Sequence, residues 1–179
     1  MADTHAAQPG ESPVPKLVRD LMTVGVATCS PDTLIVDIAR VLLEKELDAI
    51  VVLDNGEGHA LGVVSREDLV RAYTRDNWHS LRAENVMRDG VPQVPPEIPL
   101  SAAAQIMQDL GVRALFIMHH AAGIEYPAAV ISYRHLLRHL SARDGEDIRD
   151  LGIKAERQSP LEVFIQRREA ARNRNRLPK

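Results

Sequence analysis

The feature that most constrains this chain is an internal repeat. Residues Ser30–Asp54, "SPDTLIVDIARVLLEKELDAIVVLD", correspond to Pro95–His119, "PPEIPLSAAAQIMQDLGVRALFIMH", at an offset of 65 residues. Met22 in "RDLMT" corresponds to Met87 in "ENVMR" at the same offset. The stretches "LGVVSREDLV" and "AAVISYRHLL" correspond at an offset of 67. A period this long, present twice, predicts two copies of one supersecondary unit.

Each copy has the pattern strand, helix, strand, strand, helix. In the first copy "GVATC" predicts a short strand, and Asp32 or Thr33 is expected to be the N-cap of the helix that follows. The apolar run "AIVVL" is typical of a strand buried on both faces, and "ALGVV" predicts the next strand. The second helix is expected to begin at Ser65 and to end near Arg75. One such unit cannot bury both faces of its sheet, so the two copies should pack together.

The repeat divides the chain into four parts. Residues 1–15 are rich in Ala, Pro, Gly and Ser and are expected to form a disordered lead-in. Repeat 1 covers 16–78 and repeat 2 covers 79–141, which leaves 142–179 as a basic, helical C-terminal extension. Residues 151–179 carry eight Lys or Arg and three Asp or Glu, although the whole chain has a net charge of −3. A docked helix with a solvated end, or a basic arm for an acidic partner, would explain this charge.

The amino-acid composition weighs against several functional classes and cellular locations. Aromatic residues make up 3% of the chain, so stacking platforms for bases are scarce, which weighs against a protein that binds single-stranded nucleic acid. A single cysteine, Cys29, excludes an intramolecular disulfide and fits a reducing compartment. The chain has neither an apolar run of about 20 residues nor a signal-peptide pattern, so we expect a cytoplasmic protein without a membrane partner.

The region from about Lys16 to Leu140 resembles a tandem pair of cystathionine-β-synthase (CBS) domains, also called a Bateman module. The resemblance rests on "VRDLMT", "SPDT", "AIVVLD", "LGVVSREDLV" and "LGVRALFIM". It implies an α+β fold of two βαββα repeats related by a pseudo-twofold axis, and a regulatory role in sensing adenosyl ligands. It also implies a homodimer, for which helices within Thr33–Glu46 and Ser101–Leu110 are the expected contact surfaces.

The motif Ser65-x-x-Asp68 has two interpretations. It is a capping box, in which the serine oxygen accepts a backbone N–H at the helix start and the acid suits the positive end of the helix dipole. The resemblance implies a second role, in which Asp68 accepts hydrogen bonds from ribose hydroxyls and Ser65 lies near a phosphate. Val63 would then form a wall, and the segment Met87–Pro92, with Met87, Val91 and Pro92, would face the base.

The two copies differ at the positions that matter for this site. His135 stands where Asp68 would be, and an imidazole is a poor replacement for a carboxylate that holds a ribose. Family members often have a basic residue before the first buried strand, and copy 2 has Arg113 there while copy 1 has Asp48. Asp48 would repel a phosphate, so Asp68 and Arg113 can serve one ligand only if Arg113 reaches across the pseudo-twofold axis. Otherwise we expect a ligand with little negative charge, or none.

No motif indicates an enzyme or a required cofactor. His135 and His139 are four residues apart on a predicted helix, but a third metal ligand is not evident, so we expect no metal site. Gly-rich phosphate loops, nucleophile elbows and paired carboxylates are absent from the sequence. The sequence therefore predicts a module that binds an adenine nucleotide (AMP, ADP, ATP or S-adenosylmethionine class) and signals to an unknown protein partner. Two alternatives are a ligand-free dimerisation scaffold and a nucleic-acid-binding protein that acts through its basic tail.

Overall fold

The structure is a computed structural model that describes residues 16–56, 58–121 and 124–141. In these residues the fold is α+β, with two β-sheets and five α-helices. The predicted lead-in and the predicted C-terminal extension lie outside these residues. The helices are α1 (Val18–Leu21), α2 (Ile35–Glu44), α3 (Arg66–Tyr73), α4 (Leu100–Leu110) and α5 (Tyr133–Ser141). The strands are β1 (Thr23–Val24), β2 (Thr28–Cys29), β3 (Ala49–Leu53), β4 (Ala60–Ser65), β5 (Arg88–Asp89), β6 (Ala114–Ala121) and β7 (Ile124–Ser132).

The repeats pack against each other through their sheets, as the repeat analysis predicts. The sheet of repeat 1 has the order β2-β3-β4-β5, and β3 is the apolar run "AIVVL". Ile50 and Val52 pack in the cluster that includes Ile38 and Leu42 of α2. Val51 faces the other way and packs with Ala114 and Phe116 of repeat 2. Strand β3 is apolar throughout because a helix covers one of its faces and the other repeat covers the other.

The two sheets exchange short strands, which the sequence does not predict. Strand β1 lies near the start of repeat 1 but pairs antiparallel with β7 of repeat 2. Strand β5 opens repeat 2 but pairs with β4 of repeat 1, where Gly62 lies opposite Asp89. A Cβ atom at Gly62 would lie 2.2 Å from the carbonyl oxygen of Arg88, so only glycine allows β5 to approach this closely. The exchange fixes Arg88 beside repeat 1.

Several predicted details need correction. The strand in "GVATC" is only Thr28–Cys29, and its counterpart in repeat 2 is a single parallel bridge between Gln93 and Phe116. The predicted N-cap at Asp32 or Thr33 is wrong, because the N-cap of α2 is Leu34, without a side-chain cap. The Thr33 hydroxyl accepts instead from the Ser30 backbone N–H at 3.2 Å, which makes a local turn.

The predicted N-cap Ser65 is confirmed, and α3 ends at Tyr73. At the C-terminal end of α2, Glu46 has a φ of +52°, a left-handed conformation that its counterpart Gly111 adopts with a φ of +61°. Arg134 of repeat 2 donates to the carboxylate and the backbone carbonyl of Glu46, so this strained position lies at a contact between the repeats. Within the described residues, none of the helices could cross a membrane.

Candidate ligand-binding cleft

A narrow cleft with a cavity volume of about 30 Å³ lies between the two repeats, where the N-terminal end of α3 faces repeat 2. This volume is about that of one water molecule and lies below the range of about 300–1,000 Å³ that small-molecule sites occupy, so a ligand of that size has to displace side chains of the wall. Charged and apolar side chains from both repeats form its wall. The lining residues are Asp48, Ala49, Val63, Ser65, Glu67, Asp68, Arg88, Pro92, Gly111, Val112, Arg113, Ala114 and Phe116.

Asp68 is the most buried charged residue of the cleft, with a side chain that is 2% exposed. Its Oδ2 accepts from the backbone N–H and the hydroxyl of Ser65, at 3.0 and 2.5 Å. The Asp68 backbone N–H donates in return to Ser65 Oγ at 3.2 Å, which completes the predicted capping box. The helix cap therefore explains the hydrogen bonds that the Asp68 Oδ2 atom accepts.

The other carboxylate oxygen of Asp68 has contacts that a helix cap does not need. Its Oδ1 accepts from Arg88 Nε at 3.0 Å and from Arg71 Nη1 at 3.3 Å. Arg88 comes from the exchanged strand β5 and lines the cleft, whereas Arg71 lies on α3 and is not part of the cleft wall. Two guanidinium groups thus compensate the charge of the nearly buried Asp68 carboxylate.

Arg113 reaches across from repeat 2 to repeat 1. Its guanidinium forms an ion pair with Glu67, the residue before Asp68, and both side chains line the cleft. Arg113 therefore reaches across to the other repeat, and its side chain lines the same cleft as Asp68. Asp48, the counterpart of Arg113, also lines the cleft. In the described residues its carboxylate has no ion pair within 4.0 Å.

The structure brings five of the seven predicted site residues into the wall of this cleft: Val63, Ser65, Asp68, Pro92 and Arg113. The other two lie outside it. Met87 packs against the cluster of Ile38 and Leu42, and Val91 packs beside Val26 and Val63. Sequence reasoning includes Arg88 only as a member of the segment Met87–Pro92 and does not single it out, because a two-residue strand has no periodicity that reveals its partner. The one signal for Arg88 in the sequence is the repeat itself, because Arg88 lies 65 residues after Thr23 and so occupies the corresponding position.

Repeat 2 has a neutral version of the same arrangement. His135 is 8% exposed, and its Nδ1 lies 2.9 Å from the Ser132 backbone N–H and 3.0 Å from the Ser132 hydroxyl. Because a backbone N–H can only donate, the ring proton must be on Nε2, which donates to Thr23 Oγ1 at 2.8 Å. Thr23 is the counterpart of Arg88. Repeat 2 has thus replaced both members of the Arg88–Asp68 ion pair with uncharged groups.

Burial, together with the nearby Arg138 and Arg134, lowers the pKa of His135 to about 4. Both ring nitrogens are committed to protein partners, so His135 does not offer a lone pair to a metal together with His139. Elsewhere in the described ranges, no group of three or more His, Cys, Asp or Glu side chains could hold a metal ion. Burial also raises the pKa of the Cys29 thiol to about 11, so it is not an activated nucleophile.

Comparisons with known proteins agree with this architecture. The family model described as "CBS domain" matches the chain twice, at residues 18–75 and 83–142. The uncharacterized protein MJ1426 of Methanocaldococcus jannaschii is 38% identical over 55 residues, which are 31% of this chain and 32% of that protein, so the match spans about a third of the relative's length.

Two solved structures are similar in fold. The CBS-domain-containing protein ATU1752 of Agrobacterium tumefaciens has a TM-score of 0.61 and 22% identity, over 73% of this chain and 97% of that one. The CBS domain pair of protein MJ0100, solved in complex with 5′-methylthioadenosine and S-adenosyl-L-methionine, has a TM-score of 0.60 and 15% identity, over 70% of this chain and 99% of that one. At these identities the likeness shows the fold.

Proposed function

The chain belongs to the CBS-domain family, and on that premise we propose that it is a non-catalytic cytoplasmic module that binds an adenosyl ligand between its repeats and signals to a protein partner. The observation that carries this proposal is the placement of Asp68 and Arg113. A buried carboxylate from repeat 1 and a guanidinium from repeat 2 line one cleft. Such a site can recognise two different parts of one ligand and so respond to the position of both repeats.

In the proposed complex, Asp68 accepts hydrogen bonds from the ribose hydroxyls, as carboxylates do from vicinal diols. Arg113 and the N-terminal end of α3 lie where they could bind the negative tail of a nucleotide. Val63, Pro92 and Phe116 supply apolar surface for the base. The MJ0100 domain pair, whose structure holds two adenosyl compounds, supports this ligand class.

We propose a homodimer as the functional form. Val70 and Tyr73 on α3 are 70% and 67% exposed, and the corresponding residues on α5, Leu137 and Leu140, are 62% and 81% exposed. Both repeats therefore present an apolar pair, three residues apart, at the same place. Exposed apolar groups repeated in this way favour a protein interface, and a closed twofold dimer is the commonest way to cover them.

The predicted contact helices were α2 and α4. Each of these also exposes a leucine, Leu43 on α2 at 71% and Leu110 on α4 at 54%. The apolar pairs on α3 and α5 are larger, so we propose that these two helices contribute more to the interface. Strong, salt-sensitive binding of DNA or RNA would instead favour the nucleic-acid alternative.

Two measurements test the proposed ligand. Mass spectrometry of the native protein should detect an adenosyl compound that co-purifies with it. In a thermal-shift assay with AMP, ADP, ATP and S-adenosylmethionine, a ligand at 100 times its Kd should stabilise the fold by about 2.7 kcal/mol. If none of the four compounds shifts the melting temperature and none co-purifies, the ligand-free scaffold is the correct account.

A further inference from the structure

We propose that Arg88 is a specificity-determining residue of the cleft. Its guanidinium takes the position on Asp68 that a ribose needs, and after the ribose displaces it, it binds a phosphate group of the same ligand. The site should therefore select adenosine phosphates over adenosyl compounds whose tail is neutral or cationic. This inference rests on the proposed function, because it concerns the same site.

The hydrogen-bonding capacity of Asp68 is the first step of the argument. A carboxylate has about four lone-pair positions, and the Asp68 carboxylate has four donors, two from Ser65 and one each from Arg71 and Arg88. A ribose hydroxyl can bind Asp68 only if one donor leaves. The Ser65 contacts form the cap of α3, and Arg71 is not in the wall of the cleft. Arg88 is the donor that a ligand in the cleft meets.

The position of β5 determines where the displaced guanidinium goes. The backbone of Arg88 pairs with Val63 and is held against Gly62, so the side chain moves while the backbone stays. That side chain is 41% exposed and already lines the cleft, so it remains within reach of a ligand bound at Asp68. A guanidinium matches phosphate geometry with two parallel hydrogen bonds, which makes phosphate the natural new partner.

The charge of the ligand's tail then determines whether Arg88 regains a partner after it leaves Asp68. A nucleoside breaks the Arg88–Asp68 ion pair and leaves the guanidinium without a carboxylate or phosphate partner. A cationic tail does not supply that partner either; the other charged side chains of the wall are Arg113, which is paired with Glu67, and Asp48. A phosphate replaces the lost carboxylate as the partner of Arg88, so only a ligand with a negative tail restores the broken contact.

The internal repeat supports treating Arg88 and Asp68 as a unit. At the corresponding positions stand Thr23, on the exchanged strand β1, and His135 of repeat 2, which contact each other as Arg88 and Asp68 do. Both charges are replaced there together. A group that served only to cap the helix would not require its partner on the exchanged strand to change with it.

Isothermal titration calorimetry of the full chain with adenosine, AMP and S-adenosylmethionine tests the inference. The wild type should bind AMP at least about tenfold more tightly than adenosine, the size expected from one hydrogen bond between charged groups. Arg88→Gln should bind adenosine more tightly than the wild type does, because nothing competes for Asp68. Its Kd values for AMP and adenosine should converge to within about threefold.

Two further variants control for fold and for general loss of charge. Arg88→Lys keeps the positive charge and should keep most of the preference for AMP. Arg71→Gln removes the other guanidinium on Asp68 and should leave the ratio of the two Kd values unchanged. If Arg88→Gln weakens adenosine and AMP equally, Arg88 has only a structural role and the inference is wrong.

The same titrations distinguish a failure of the selectivity inference from a failure of the proposed function. If the wild type binds adenosine or S-adenosylmethionine as tightly as AMP, the selectivity inference fails and the proposed function stands. If the wild type binds none of the three compounds, both fail.

Discussion

Lowering the pH should destabilise this protein through His135. In the fold its Nδ1 accepts the Ser132 N–H and its Nε2 donates to Thr23 Oγ1. Protonation would place a second N–H against the Ser132 N–H and would introduce a charge at a buried position near Arg134 and Arg138. The folded state therefore binds a proton at this residue less readily than the unfolded chain does.

The magnitude follows from the two pKa values. The pKa of His135 is about 4 in the folded protein and 6.5 in the unfolded chain. Because the folded pKa is the lower one, stability is fully present above the unfolded pKa and is lost as the pH falls from 6.5 towards 4. The free energy of unfolding should decrease through this group by about 2 kcal/mol between pH 7 and pH 5, and by about 3 kcal/mol at pH 4.

Urea unfolding at a series of pH values, followed by circular dichroism, measures this loss. His135→Asn cannot titrate, and its amide oxygen can still accept the Ser132 N–H, so the variant should lack the loss that the wild type shows between pH 7 and pH 5. His139→Asn removes an imidazole from the same helix, leaves the Ser132–His135–Thr23 contacts intact and should keep the wild-type slope. The reasoning is refuted if His135→Asn and the wild type lose stability in parallel.

Four other changes have expected outcomes. Gly62→Ala should lower the free energy of unfolding by about 1–3 kcal/mol in urea titrations, because its Cβ would meet the backbone of β5; unchanged stability would mean that β5 is not held there. Asp68→Ala should cost about 1–3 kcal/mol and abolish the thermal shift with AMP; a retained shift would remove Asp68 from the site. Arg113→Ala should weaken AMP binding in calorimetry without improving adenosine binding; equal effects on both ligands would count against a phosphate contact. The double variant Val70→Ser with Tyr73→Ser should give a monomer mass by light scattering at micromolar concentration, and a persistent dimer would place the interface elsewhere.

The sequence predicts the fold well because its strongest signals are long-range and duplicated. A repeat of 65 residues with one order of elements leaves few arrangements open. The run "AIVVL" predicts burial on both faces of β3, and the structure supplies a cover for each. The helix start at Ser65 is confirmed because its capping signal lies within four residues.

Other features depend on contacts that the local sequence does not encode. Strands β1 and β5 have two residues each and owe their existence to a partner strand in the other repeat. The N-cap of α2 is Leu34 because the Ile35 backbone N–H donates to the Leu81 carbonyl, nearly fifty residues away, at 3.0 Å. For the same reason the sequence predicts Asp68 and Arg113 at the candidate site and does not single out Arg88, whose role depends on the strand exchange.

The most direct test of the central claim is a crystal structure of the protein with AMP. The account predicts one nucleotide in the cleft between the repeats, with ribose hydroxyls about 2.6–3.0 Å from the Asp68 carboxylate. It also predicts that Arg88 has left Asp68 and contacts the phosphate. A nucleotide bound beside His135, or one bound in the cleft while Arg88 still donates to Asp68 and the ribose lies elsewhere, would contradict it.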